Sequence, residues 1–209
     1  MSTTNKRLIE LFLLFILVPI IMAISSVPIA IKMAMGSAGF VYVIWVLLKV
    51  EKKKFKVSKT IKWPEFWKQT LIKFVLIVLI TTTYMILVDP INLFVVILNK
   101  PMVWVVILFI YSFFSVYPQE LIYRTFFFQR YEAIIKSKKL LVYINAIVFA
   151  LAHLFFRNTL VIFLTFIGGV IFAYTYTKTE STLLVSIEHA IYGCWLFTVG
   201  MGNMLGFLS

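Results

Sequence analysis

The chain lacks most of what keeps a protein in water. Only 13% of its 209 residues are charged, against 62% that are hydrophobic, and the mean hydropathy is +1.01. These values lie far outside the range of soluble globular domains and indicate an integral membrane protein. Cysteine is nearly absent: Cys194 stands alone, which excludes an internal disulfide and a four-thiolate metal site. Set in an apolar run, it reads as a small packing residue. Strict alternation of apolar and polar residues is also missing, which argues against an outer-membrane barrel. No internal repeat, low-complexity tract or flexible linker is found. The first apolar run, Leu8 to Ile24, has no A-x-A-like cleavage site and is followed by further spans, so it is expected to be a retained first helix.

What is abundant is long apolar sequence. At about 20 residues per bilayer crossing, the chain holds six to eight spans, with seven as the central expectation. The fold class is an all-α polytopic membrane helix bundle in one membrane domain, residues 1–209. The expected spans are Leu8 to Ile24, Ile29 to Val50, Leu71 to Val88, Met102 to Tyr117, Leu140 to Phe156, Leu160 to Thr177 and Leu183 to Val199. Asn92 to Asn99 is too short to cross alone. Leu121 to Phe128 either continues the fourth span beyond Pro118 or starts a half-buried helix.

Acidic residues are scarce, eight against 20 Lys and Arg, giving a net charge of +12. Nucleic acid is not the implied partner, because the positive charges are unevenly placed. Nine of the 20 fall between Lys49 and Lys73, interleaved with Phe55, Trp63, Phe66 and Trp67. That is the composition of a segment lying on an anionic lipid surface, and it forms part of an amino-terminal portion, residues 1–100. Other cations sit at Lys6 and Arg7, at Arg130 to Lys139 and at Lys178, while Asp89 to Pro101 and Arg157 to Asn158 are poor in them. The excess of Lys and Arg sets orientation, so the amino terminus and the basic loops are expected in the cytoplasm.

Ionisable side chains within spans are costly, which makes the few that occur functional candidates. Six of the acids lie at span ends or in loops, leaving Glu120 and Glu188, and both histidines, His153 and His189, also lie in apolar segments. In FSVYPQELIYRTFFFQRY, Glu120 and Arg124 are four apart and share a helix face, with the acid on the favourable amino-terminal side. Taken alone they could be a structural ion pair. His153 could likewise be a helix-packing hydrogen-bonder, and His189 could be oriented by Glu188. Glu120, His153 and His189 would suffice in number for zinc. No HExxH or comparable pair fixes two ligands on one helix, so no metal is expected, although the donor count leaves a divalent ion such as zinc open.

These residues carry a resemblance. Gln119-Glu120-Leu-Ile-Tyr-Arg124, Phe149-Ala-Leu-Ala-His153 and His189-Ala-Ile-Tyr-Gly193 resemble the E-E-x-x-x-R, F-x-x-x-H and H-x-x-x-N motifs of the CPBP family. These are the CAAX protease and bacteriocin-processing (Abi) intramembrane endopeptidases, which include the type II CAAX prenyl endopeptidases. The likeness covers a core of residues 111–197. It implies hydrolysis of a peptide bond in a membrane-associated protein or peptide. Glu120 would be the base or would orient it, Arg124 would hold Glu120, and His153 and His189 would stabilise the oxyanion and position water. Fixed donors aimed at a developing oxyanion supply much of the rate in such chemistry.

Two positions depart from the pattern. Gln119 stands where the family has its first glutamate, and Gly193 where it has an asparagine. Glu188 is a candidate stand-in for the base, and Asn145, Asn158 or Gln119 itself for the missing donor. Adjacent helix residues point about 100° apart, so Glu120 needs a rotation or a local distortion, which Pro118 just before it could allow, to take the place of Gln119. The departures also admit a noncatalytic membrane binding protein on the same scaffold, for example one conferring bacteriocin immunity. A small transporter ranks below both, since no pair of broken helices repeats. The expected setting is a bacterial cytoplasmic membrane, with lipids and a peptide or protein substrate as partners.

Overall fold

Helix is the only regular structure among the described residues of the computed structural model, which are 3–24, 26–51 and 62–202. In chain order the α-helices are α1 (Thr3–Phe12), α2 (Val18–Ala23), α3 (Ile29–Trp45), α4 (Trp63–Val88), α5 (Val95–Asn99), α6 (Pro101–Ile110), α7 (Tyr117–Glu120), α8 (Phe127–Tyr131), α9 (Lys138–Leu151), α10 (Thr159–Thr179) and α11 (Thr182–Val199). Wider π-helical stretches lie at Leu13–Leu17, Val46–Val50, Tyr111–Val116 and Leu121–Phe126. Two of these come just before an interior proline: Pro19 follows the first and Pro118 the third. A proline ring clashes with the carbonyl four residues back and removes a hydrogen bond. Those carbonyls belong to Phe15 and Phe114, inside the widened stretches, where a π turn relaxes the constraint without ending the helix.

Six runs among the described residues are long and apolar enough to cross a bilayer: Ala30–Val50, Trp63–Val88, Pro101–Tyr131, Lys138–Phe156, Thr159–Thr179 and Thr182–Val199. The chain is therefore an all-α polytopic membrane protein, within the expected six to eight spans. The expected first span is helical from Thr3 to Ala23 but is not among these six. Leu121 to Phe128 continues the fourth run, and Asn92 to Asn99 forms the end of a 3-10 turn and the short α5. Of the basic segment, residues 52–61 lie outside the described residues. Its remainder from Trp63 already belongs to α4, which begins eight residues before the expected Leu71 because Pro64 and Glu65 make a favourable first turn. Large side chains such as Leu87 and Met102 are more than 70% exposed, as suits residues that face lipid.

The described chain divides into two compact units. The first comprises Met1–Lys56 and Gln119–Glu180. Its tightest pairing is α9 with α10, where a Cβ added to Gly169 would come within 2.9 Å of the Ala146 Cα; small residues permit such backbone approach in membranes. Asn158 starts α10 by accepting hydrogen bonds from the Leu160 and Val161 amides at 2.9 and 3.2 Å. Phe15 packs against Tyr123, Phe126, Phe127 and Tyr131. Beside that cluster, Arg130 donates to both carboxylate oxygens of Glu10 at 2.8 and 3.0 Å and to Glu51 at 2.8 Å. The Tyr42 and Tyr131 hydroxyls also donate to Glu10. This network ties α1, the end of α3 and α8 together.

The second unit comprises Val57–Pro118 and Ser181–Ser209. Here α11 is held to α4 by the Trp195 indole donating to the Thr81 hydroxyl at 2.8 Å, and to α6 by the Trp104 indole donating to the Thr198 hydroxyl at 3.0 Å. Gly200 ends α11 with φ 105°, and a Cβ there would overlap the Asn92 carbonyl, so both its conformation and its contact require glycine.

Gly169→Val should destabilise the first unit by about 2 kcal/mol through overpacking against the Ala146 backbone. Thermal unfolding of the detergent-purified variant should show the lowered midpoint.

Candidate functional site

In the first unit the two sides of the expected ion pair meet. Glu120 and Arg124 are both completely buried, and the Arg124 Nε lies 3.2 Å from the Glu120 Oε2. Arg124 sits in the π-helical stretch Leu121–Phe126, and its guanidinium is held on further sides. One nitrogen donates to the Asn145 Oδ1 at 2.9 Å. The Phe149 ring lies 4.6 Å from its carbon and the Phe172 ring 5.8 Å away, both within range of a cation–π attraction. Asn145 uses its amide nitrogen on the Tyr123 carbonyl. The carboxylate, the guanidinium, the amide and a backbone carbonyl thus form one connected chain, which is how a charged pair persists in a buried position.

His153 follows on the same aromatic edge. It lies just past α9 with φ −97° and ψ 3°, in the sparsely populated bridge region where many active-site residues occur. Its ring centroid is 4.8 Å from that of Phe149. Its Nδ1 is 2.7 Å from the Phe149 carbonyl. A carbonyl only accepts, so Nδ1 carries the hydrogen, and in the neutral form of the ring Nε2 is the acceptor. Of the two roles expected of His153, positioning water suits this tautomer, whereas donating to an oxyanion needs the imidazolium. Gln119, next to Glu120, is half-buried, and Asn158 is engaged in capping α10.

In the second unit, α11 carries Glu188, His189 and Gly193 on buried positions. Glu188 is completely buried, and its Oε1 accepts from the Lys73 ammonium of α4. The Tyr192 hydroxyl lies 3.0 Å from both that oxygen and the Thr70 carbonyl, and its single hydrogen serves one of them at a time. Glu188 therefore joins α11 to α4, rather than orienting His189 alone. The His189 ring meets Tyr111 edge to face at 6.1 Å. Lys73, Tyr111 and Tyr192 were not singled out by the sequence reading. Lys73 had a usable signal, being a lysine inside LIKFVLIVLI, but it was absorbed into the basic segment. Among the described residues, no three His, Cys, Asp or Glu side chains are grouped so as to hold a metal ion.

Lys73→Met leaves the Glu188 carboxylate buried without its counter-ion and should cost roughly 3 kcal/mol. Lys73→Met combined with Glu188→Met should recover most of that loss. Chemical denaturation of the three proteins in detergent measures the difference, and equal losses in single and double variants would show that the pair is not coupled.

The comparison with known proteins bears on the segment that carries the motifs. No curated protein and no solved structure matches the chain. Residues 101–195, which include Glu120, Arg124, Asn145, His153, Glu188, His189 and Gly193, match the family model described as type II CAAX prenyl endopeptidase Rce1-like, in agreement with the resemblance read from the three motifs.

Proposed function

We propose that the chain is an intramembrane endopeptidase that hydrolyses a peptide bond of a membrane-associated protein or peptide. The observation that carries this reading is the fully buried Glu120 carboxylate, paired with Arg124 and backed by Asn145. A carboxylate inside a membrane protein is costly to keep, and this one belongs to a matched endopeptidase segment. In the proposed reaction Glu120 takes a proton from water, whose oxygen attacks the scissile carbonyl carbon. The carbonyl electrons move onto its oxygen and are stabilised by donors that include His189. Collapse of that intermediate breaks the carbon–nitrogen bond, and the proton held by Glu120 passes to the leaving amine. Arg124 holds and orients Glu120, and His153 positions the water through Nε2.

The helix geometry supports Glu120 over Gln119 as the base. The π-helical stretch Tyr111–Val116 precedes them, and a π turn carries one residue more than an α turn. Side chains beyond it are therefore shifted by about 100°, and Glu120 takes the angular place that residue 119 would hold in an unbroken α-helix. Such a shift supports Glu120 in the role the family gives to its first glutamate. Glu188 is a weaker candidate, because Lys73 and Tyr192 already occupy its Oε1. The amino terminus and the basic loops are assigned to the cytoplasmic side of a bacterial membrane on the distribution of Lys and Arg. The identities at Gln119 and Gly193 favour the second reading, a noncatalytic binding protein on the same scaffold.

Cleavage of a fluorescence-quenched peptide library by the detergent-purified protein separates the two. The expected result is cleavage by the wild type and its loss by about 10² to 10⁴-fold in Glu120→Gln and in His153→Ala, each still folded. A chelator should leave the rate unchanged. Full activity in both variants would overturn the site assignment, and no cleavage by the wild type would favour the binding protein.

A further inference from the structure

Residues four apart share a helix face, so whatever lies against Gly193 lies beside His189. Tyr111 is what lies there. A Cβ added to Gly193 would overlap the Tyr111 hydroxyl and the adjoining ring edge. The same ring meets His189 edge to face at 6.1 Å and 83°, and Phe197, one further turn along, at 4.9 Å and 69°. The tyrosine is thus laid along one face of α11, with its hydroxyl in the hollow that glycine leaves. Nothing in the backbone at Gly193 calls for glycine, because the residue lies within α11 at ordinary helical geometry. A helix-interior glycine costs about 1 kcal/mol relative to alanine. The Tyr111 ring gives the reason for it. Tyr111 also opens the π-helical stretch Tyr111–Val116, and such stretches occur frequently at functional sites.

We propose that the Tyr111 hydroxyl is a catalytic hydrogen-bond donor that works beside His189 in binding the oxyanion of the scissile carbonyl, in the space left by the missing side chain at Gly193. This inference rests on the endopeptidase reading above. The hydroxyl keeps its proton throughout: it donates a hydrogen bond to the oxygen on which negative charge develops, and withdraws when the carbonyl re-forms. A phenol reaching from another helix thereby performs what a side chain at position 193 would otherwise do. The arrangement makes glycine at 193 a requirement of Tyr111, rather than a loss of function.

The test uses the purified full chain, with kcat and KM measured on the best-cleaved peptide of the library and thermal unfolding followed in parallel. Tyr111→Phe should unfold at the wild-type temperature, because the ring remains, while kcat falls about 100-fold with KM nearly unchanged. Tyr111→Ala should be as inactive. Adding Gly193→Asn to Tyr111→Ala should restore at least about tenfold of the rate, since the amide then has room and supplies a donor on the same face. Gly193→Asn alone should destabilise the protein. If the wild type cleaves, Glu120→Gln does not, and folded Tyr111→Phe retains full kcat, the role of Tyr111 is overturned and the endopeptidase reading stands. If the wild type cleaves no peptide while remaining folded, both fall together.

Discussion

A guanidinium removed from water is the constraint around which the first unit is arranged. Arg124 is fully buried, and an unpaired ion in such surroundings would cost several kcal/mol even after relaxation. Each neighbour addresses part of that cost. Glu120 supplies opposite charge, Asn145 supplies an oxygen, and Phe149 and Phe172 supply ring faces. Two of these partners come from α9 and one from α10, the helices that pack most closely through Gly169 and Ala146. The close approach of α9 and α10 and the enclosure of Arg124 therefore depend on each other. Because Phe149 also offers its carbonyl and its ring to His153, the arginine fixes the position of the histidine at one remove.

The chain repeats this solution with other partners at two further places. Arg130 is matched by Glu10 and Glu51, with two tyrosine hydroxyls completing the carboxylate. Glu188 is matched by Lys73 and Tyr192. What distinguishes the Glu120 set is its placement between two π-helical stretches in a single run, Pro101–Tyr131. The Arg130 and Glu188 sets join separate helices.

Much of this was legible in the amino acids. Apolar runs separated by charged or turn-forming residues gave the spans, because burial in lipid demands length and continuity that little else in a sequence imitates. Glu120 and Arg124 could be paired from spacing alone, since four residues return a helix to the same face. The partners across helices were not legible. Asn145 against Arg124 and Lys73 against Glu188 depend on which helices pack together, and no periodicity within one helix encodes that. Gly193 reads in the sequence only as a lost donor, because a sequence shows a missing side chain but not the ring that fills its place. The π-helical stretch before Pro118 escaped for a related reason: the proline marks where a helix is disturbed, but a kink, a break and a widened turn all satisfy the same local chemistry.

The amide at position 119 has a consequence for charge that goes beyond the loss of a base. With Glu120 and Arg124 alone, the connected set in the first unit is neutral as folded. A second carboxylate at 119 would leave one net negative charge in the same low-dielectric surroundings, and two adjacent acids raise each other's proton affinity. One of them would then be a stronger base at the expense of stability. The chain instead has a single carboxylate facing a single guanidinium, and so avoids that uncompensated charge.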